Sequence, residues 1–199
     1  MKRILFVLLL FSSFVVPSFS YKLLYAEEYY KLYHQNLYQY PEDYTGNIWF
    51  LEQALGRPFV NPLNALTKID TKDQWKRYRY LFYMHVNLKL VEQYRYLARS
   101  YDKQRAYFYN APWKEDTLKS LNIAESYYKA AEYYWKEALV WVKKLKKVHY
   151  YFLENIQFWE DERIRITTGE LDYKDSIQTD LSRLATVRKE FEAMNASTY

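Results

Sequence analysis

Apolar side chains recur at alternating spacings of three and four residues through the second half of the chain. Only two members of the series are polar, and no glycine or proline lies between Trp113 and Gly169. This spacing holds one helix face against a neighbour, so it predicts one helix over 121–166, roughly 80 Å long if the whole uninterrupted stretch is helical. The series is Leu121, Ala124, Tyr128, Ala131, Trp135, Ala138, Val142, Leu145, His149, Phe152, Ile156, Trp159, Arg163 and Ile166.

Four further helices are predicted from apolar periodicity and from residues that start or stop helices. Pro41 ends the first, and the Gly-Arg-Pro sequence at 56–58 ends the second. Thr71 begins the third, with Gln74 completing a capping box. The apolar stripe of the third helix is Leu81, Met84, Leu88, Val91, Tyr94, Ala98 and Tyr101. The predicted ranges are 21–37, 47–55, 71–102 and 173–194.

The lengths of the helices predict how they pack. The third helix matches the front half of the long helix and the last helix matches its rear half, with turns that permit antiparallel returns. We therefore predict an all-α fold, an elongated antiparallel helical bundle with one very long spine helix, as a single domain over 21–199. N-terminal helices and an aromatic loop would occupy 21–113. A long helical hairpin would occupy 114–199, exposed enough for self-association or a partner chain.

Composition supports the helical prediction and excludes several kinds of site. Glycine (3) and proline (5) are scarce, whereas aromatic residues make up 21% of the chain, with 24 Tyr and 6 Trp. A tyrosine ring covers neighbouring surface while its hydroxyl stays hydrated, which suits thin, extended helix packing. The chain has no cysteine, so disulfides and thiolate metal sites are excluded.

The N-terminus has the pattern of an export signal. Lys-Arg at 2–3 precedes an apolar run over 4–16, and Ser18 and Ser20 suit cleavage before Tyr21. The run is short for a membrane span, so we predict a signal peptide over 1–20 and a periplasmic protein, with an uncleaved membrane anchor as the alternative. Without the two basic residues of the signal, the net charge falls from +5 to a mild +3, which does not predict nucleic-acid binding.

Neither a metal site nor a catalytic motif is recognisable in the sequence. His34, His85 and His149 lie on three different predicted helices, and no two of them have the close helical spacing of a zinc site. His149 belongs to the apolar series, where a polar residue fixes helix register. Phosphate-binding glycine loops, Gly-x-Ser-x-Gly and cysteine nucleophiles are absent. We expect no metal, no cofactor and no catalysis.

One candidate binding surface is a connection between helices. Tyr107, Phe108, Tyr109 and Trp113 lie there, and four large rings are more than a hydrated loop favours, whereas such rings dominate binding interfaces. We call the stretch 107–113 the aromatic segment. The alternative is that it folds back to cover the end of the bundle.

A second candidate surface is basic. Lys143, Lys144, Lys146 and Lys147 flank Leu145, and we call these four residues the lysine group. They form either a hydrated helix face or a patch for an acidic partner, an anionic lipid surface or a polyanionic wall polymer.

Two stretches carry a resemblance to known families. The pattern of Leu97, Ala98 and Tyr101 on one helix resembles the first helix of a tetratricopeptide repeat, and that of Ala124, Tyr128 and Ala131 resembles the second. Tyr94 stands where tryptophan is typical. The stretches YRYLFYMHVNLKLVEQY (78–94) and YFYNAPW (107–113), with the export signal, resemble small helical periplasmic proteins of spirochaetes. Some members of that group belong to the collar of the periplasmic flagellar motor. The resemblance implies a location and a scaffold role.

Together these features predict a non-catalytic periplasmic scaffold or adaptor. Its expected partners are other periplasmic or membrane-associated proteins, and the resemblance implies assembly of the flagellar motor collar. A module that binds cell-wall glycan or a polyanion, through exposed aromatics and the lysine group, is the alternative. Membrane contact is expected only if the N-terminal segment is uncleaved, and no nucleic acid is expected as a partner.

Overall fold

The computed structural model describes residues 22–195 and 197–198, so the predicted signal peptide lies outside the described residues. These residues form α-helices and short 3₁₀ helices without a β-strand, which confirms the predicted all-α class. The α-helices are α1 (Ala26–Gln39), α2 (Tyr44–Gly56), α3 (Lys72–Tyr101), α4 (Lys114–Leu145), α5 (Gln157–Thr168) and α6 (Lys174–Ala193). The 3₁₀ helices are Pro62–Asn64, Phe108–Trp113 and Glu154–Ile156.

Side-chain caps explain where several helices begin. The Thr71 hydroxyl accepts a hydrogen bond from the Gln74 backbone N–H at 3.2 Å, and the Gln74 side chain accepts one from the Thr71 N–H at 3.0 Å. The predicted capping box of α3 is therefore confirmed. Asp43 accepts from the Gly46 N–H at 3.0 Å and starts α2 earlier than predicted.

The two longest helices, α3 and α4, form an antiparallel pair. The rings of Tyr94 and Tyr134 stack at 5.5 Å, and those of Tyr83 and Trp141 stack at 4.5 Å. Eight predicted seam positions are buried in α4, so the series is confirmed as far as Leu145. These are Leu121, Ala124, Tyr128, Ala131, Trp135, Ala138, Val142 and Leu145.

The predicted continuous helix over 121–166 is wrong beyond Leu145. The helix α4 ends there, residues 146–156 form turns and a short 3₁₀ helix, and α5 then begins as a separate element. His149, predicted to lie in the seam, is exposed, and so is Phe152. We call residues 146–156 the bend.

Tertiary hydrogen bonds explain why the bend is favoured. The Arg77 guanidinium donates to the backbone carbonyl oxygens of Val148 at 3.1 Å and His149 at 3.0 Å. In a continuous helix these carbonyls would accept from backbone N–H groups of the next turn. Here Arg77 replaces those donors, so two carbonyls of the bend have partners without further helix.

The predicted two-helix hairpin over 114–199 is also absent. The last helix, α6, was expected to lie along the second half of the long helix, but it lies along α4. Lys114 donates to the carbonyl oxygen of Met194 at 2.9 Å, and the rings of Trp135 and Tyr173 meet edge to face at 5.6 Å. The chain therefore folds back at the bend. The helix α5 packs against α1 and α3, and α6 returns along α4.

The core consists of two buried clusters. The larger joins α1, α2, α3, the C-terminal half of α4 and α5, with Trp159 fully buried among tyrosine and phenylalanine rings. The smaller joins the end of α3 to α4 and α6, and it includes three positions of the tetratricopeptide-like pattern. Its members are Ala98, Leu121, Ala124, Tyr128, Leu184, Val187, Phe191 and Met194.

Candidate functional site

The aromatic segment links α3 to α4 and is mostly a 3₁₀ helix, Phe108–Trp113. The Tyr107 backbone N–H donates to the Asn110 side chain at 3.2 Å, and the Asn110 N–H donates to the Tyr107 carbonyl at 2.8 Å. The rings of Tyr107 and Tyr109 stack at 5.3 Å with only 5° between their planes. These local contacts fix the direction of the rings.

In this part of the chain the small side chains face the core and the large aromatic ones face solvent, the reverse of what burial of apolar area would favour. Ala106 and Ala111 pack against the smaller core cluster. The four large rings remain exposed, at 46% for Tyr107, 65% for Phe108, 47% for Tyr109 and 60% for Trp113. The segment thus covers the bundle with its small side chains and presents its rings to solvent. Exposed, closely spaced aromatic rings are the composition of a binding surface.

The lysine group lies at the other end of α4. Lys143 and Lys144 belong to its last turn, Lys146 and Lys147 follow it, and all four are exposed. None forms an ion pair with an acidic side chain in 22–195 or 197–198. The ammonium nitrogen of Lys144 lies 3.7 Å from the centre of the Trp141 ring, a cation–π contact.

The structure does not bring the two predicted surfaces together. The aromatic segment precedes the first residue of α4, and the lysine group follows its last turn. A helix of 32 residues is about 48 Å long. The two surfaces therefore do not form one continuous site.

A buried ion pair that the apolar spacing did not predict connects α3 to α5. Arg77 is 2% exposed and Glu160 is 0% exposed, and the Arg77 guanidinium contacts the Glu160 carboxylate through two nitrogens. Arg163 donates to the second oxygen of Glu160 at 2.7 Å. With the two carbonyl contacts of the bend, this arrangement satisfies most of the Arg77 donors.

His85 is the centre of a second buried polar network. Its Nδ1 lies 2.6 Å from the Glu162 carboxylate, which accepts but does not donate, so Nδ1–H is the donor. Its Nε2 lies 2.8 Å from the Tyr30 hydroxyl, which donates to it. The imidazole stacks on the Trp159 indole at 5.0 Å. This contact and the Glu162 bond join α3 to α5.

Burial decides the direction of the pKa shift at His85 and Tyr30, whereas neighbouring carboxylates decide it at Lys89. It lowers the pKa of His85, and the neighbouring Glu162 carboxylate opposes the effect without reversing it. Burial also raises the pKa of the Tyr30 phenol. For Lys89, burial alone would lower the pKa, but the carboxylates of Glu92 and Glu162 outweigh it and the pKa is raised.

The network has the geometry of a packed helix interface. Both ring nitrogens of His85 are engaged by protein groups, and the ring is fully buried, so neither nitrogen is open to a substrate. Among residues 22–195 and 197–198, no group of three or more His, Asp or Glu side chains is arranged to hold a metal ion. Within the same ranges, no helix combines the length and apolar character that crossing a membrane requires.

A signal for these residues was present in the sequence. Arg77 stands four residues before Leu81, and His85 stands four residues after it, so both continue one apolar face of α3. Polar residues on a buried helix face require partners. The sequence did not show which partners, because Glu160 and Glu162 were assigned to a continuous helix that points elsewhere.

The fold and the exposed surfaces define an all-helical bundle held together by buried polar networks, with large aromatic rings displayed on a short connection. The profile of a protein family, the domain of unknown function DUF8513, matches residues 73–194. Because the match covers more than half of the chain, this protein belongs to the DUF8513 family. The matched range contains both the aromatic segment and the lysine group. A search of curated proteins and a search of solved structures found no match.

Proposed function

We propose that the protein is a non-catalytic scaffold or adaptor that binds another protein through the aromatic segment. One observation carries this proposal: Ala111 of the segment and the preceding Ala106 pack inward, whereas the four rings of the segment stay outside. The alanines alone cover the core, so the rings are not needed for that purpose. Their apolar area stays exposed in the free protein, and a partner surface would bury it.

The energetics of the segment suit tight binding. Complete burial of one large apolar side chain stabilises by about 1.5–3 kcal/mol, so burial of Phe108 and Trp113 alone would give a substantial share of the binding free energy. The 3₁₀ helix and the stacked Tyr107 and Tyr109 rings are already ordered. Binding therefore loses little conformational entropy in this segment.

The cellular setting that we propose is the periplasm, with components of the flagellar motor collar as partners. Its support is the export-signal pattern before Tyr21 and the resemblance of 78–94 and 107–113 to spirochaete periplasmic proteins. The exposed rings supply a contact surface for such a partner. Self-association through the same surface is the homotypic form of the proposal.

The first experiment places a photo-crosslinking residue at position 113 in cells that produce the protein. A matched crosslinker at position 38 serves as control, because Tyr38 is an aromatic residue on α1 that is 90% exposed and outside the aromatic segment. The expected result is one defined protein adduct at 113 that is absent at 38, identified by mass spectrometry.

The second experiment measures the affinity of the purified partner for substituted proteins. Combined substitutions Phe108→Ala, Tyr109→Ala and Trp113→Ala should weaken binding by about a hundredfold or more, whereas Tyr38→Ala with Tyr40→Ala should leave it unchanged. Equal affinity for wild type and the triple variant would overturn the proposal. Loss of co-sedimentation with peptidoglycan, with protein binding intact, would favour the glycan alternative.

A further inference from the structure

Several separate parts of the chain meet at the end of the bundle that carries the lysine group. Arg77, near the start of α3, binds the carbonyls of the bend, and the next residue, Tyr78, donates to Glu27 at the start of α1 at 3.0 Å. Asn155 in the bend donates to the carbonyl of Leu66 at 3.3 Å. The starts of α1 and α3, the α2–α3 connection and the bend therefore share one end of the molecule, which we call the basic end.

Exposed positive charge is concentrated at the basic end. The acidic residues are fewer, and two of them have partners: Asp70 lies 3.4 Å from Lys68, and Glu28 accepts from the backbone N–H of Leu24. Asp73 and Glu154 are the other exposed acids of these elements. The exposed lysines are Lys22, Lys68, Lys72, Lys76, Lys143, Lys144, Lys146 and Lys147.

Apolar side chains protrude among these lysines. Leu63 is 86% exposed and Phe152 is 64% exposed, and Phe152 lines the same shallow depression as Lys68. Tyr150 is half exposed and lies against the Arg77 guanidinium. A soluble polyanion is bound by charge alone. A bilayer surface instead binds basic residues at its headgroups and protruding apolar side chains in the layer below them.

The first described helix, α1, begins at this end. The described residues begin with Lys22, close to Ala26, whose backbone N–H donates to the carbonyl of Pro58 beside the α2–α3 connection. The sequence that precedes Lys22 includes the apolar run over 4–16. The first described residues therefore belong to the basic end, and the apolar run over 4–16 precedes them in the sequence.

We propose that the basic end is a docking surface for an anionic phospholipid bilayer. The lysine group contacts the headgroups, and Leu63 and Phe152 enter the interfacial layer. This contact does not require that the N-terminal segment be retained. It is also independent of the proposed function, because the aromatic segment lies at the opposite end of α4.

Vesicle co-sedimentation of the purified, exported protein tests the proposal. The measured quantity is the ratio of partitioning onto vesicles with about one third phosphatidylglycerol to partitioning onto pure phosphatidylcholine. This ratio cancels any contribution from a retained apolar N-terminus. Lys143→Gln, Lys144→Gln, Lys146→Gln and Lys147→Gln together should reduce the ratio by about 600-fold, because each lysine near an anionic surface contributes about a fivefold effect and the four effects multiply.

A matched control removes the same charge elsewhere. Lys31, Lys103, Lys174 and Lys189 are exposed and lie outside the lysine group, and their replacement by glutamine should change the ratio far less. Salt provides a measurement on the unsubstituted protein, since its preference for phosphatidylglycerol should fall steeply with ionic strength. Equal losses in the two variants, or a ratio near one for wild type at low salt, would overturn the proposal.

A second pair of variants tests the protruding apolar side chains. Leu63→Ser with Phe152→Ser should weaken binding to anionic vesicles by about tenfold, and this loss should persist at high salt. Ile123→Ser with Tyr133→Ser, at exposed apolar positions on α4, is the control and should have no effect. Binding to a soluble wall polyanion without vesicle binding would assign the lysine group to that polymer and overturn the proposal.

Discussion

The Arg77 guanidinium and the Glu160 carboxylate form an ion pair from which water is excluded, 83 residues apart in the chain. Arg77 also binds two backbone carbonyls of the bend, those of Val148 and His149. One side chain therefore attaches both the bend and α5 to α3. The reversal of the chain after Leu145 depends on this residue.

Replacement of Arg77 by methionine should be strongly destabilising. It leaves the buried Glu160 with Arg163 alone and leaves two carbonyls without a donor, so we expect a loss of about 3–5 kcal/mol in the free energy of unfolding. Urea denaturation followed by circular dichroism measures this loss. Arg105→Met, at an exposed position, is the control, and a loss at Arg77 no larger than at Arg105 would contradict the assigned role.

The neighbouring aromatic residues Phe158 and Trp159 should respond very differently to substitution. Trp159 is fully buried between α5, α1 and α3, whereas Phe158 is about half exposed. Trp159→Ala should cost about 3–5 kcal/mol of stability, and Phe158→Ala should cost about 1 kcal/mol or less. Similar losses in the two variants, measured by urea denaturation, would show that α5 is not packed as described.

The stability of the protein should depend on pH through His85. Burial lowers its pKa in the folded state below the ordinary 6.5, so the unfolded chain binds a proton first as pH falls. Stability is therefore fully present above 6.5 and is lost as pH falls from there toward the lowered pKa. The groups facing His85 are Tyr30 and His34 on α1, Lys89 and Glu92 on α3, and Glu162 on α5.

The measurement compares melting temperatures from about pH 7.5 to about pH 5.5. The wild-type protein should lose more stability over this range than His85→Gln, even though His85→Gln is less stable at the higher pH. His149→Gln, at an exposed position in the bend, should behave like wild type. An equal decrease in all three proteins would exclude His85 as the source. Glu27, whose pKa burial raises, acts in the opposite direction at lower pH.

The large rings of the aromatic segment should be dispensable for folding. Its large rings are exposed while Ala106 and Ala111 make the core contacts, so the triple variant at Phe108, Tyr109 and Trp113 should change the free energy of unfolding by about 0.5 kcal/mol or less. Ala111→Asp should cost considerably more, because it places a charge against the core. A large loss in the triple variant would mean that the rings serve folding.

The sequence predicted the local features of the fold well. Thr71 and Gln74 marked the start of α3, and the apolar seam was correct to Leu145, because these signals depend on residues close together in the chain. The prediction failed after Leu145, where Ile156 and Trp159 continue the spacing by coincidence. They are buried, but against α1 and α3 rather than along an extension of α4.

The candidate sites were predicted in part. The sequence identified the aromatic segment and the lysine group as the unusual surfaces, and the structure places all eight of their candidate residues on the exterior. It did not place the start of α1, the α2–α3 connection and the bend at one end. That arrangement depends on contacts of Arg77, Tyr78 and Asn155 over long sequence separations.

The antiparallel pair α3–α4 also fixes a distance. Its closed turn carries the aromatic rings, its open end carries the lysines, and both helices are about 45–48 Å long. If the open end rests on lipid, a protein captured at the turn stands clear of the headgroups by roughly the thickness of a membrane. The molecule then acts as a spacer. Shortening the α3–α4 pair by two helical turns would bring the bound protein about 11 Å closer to the bilayer.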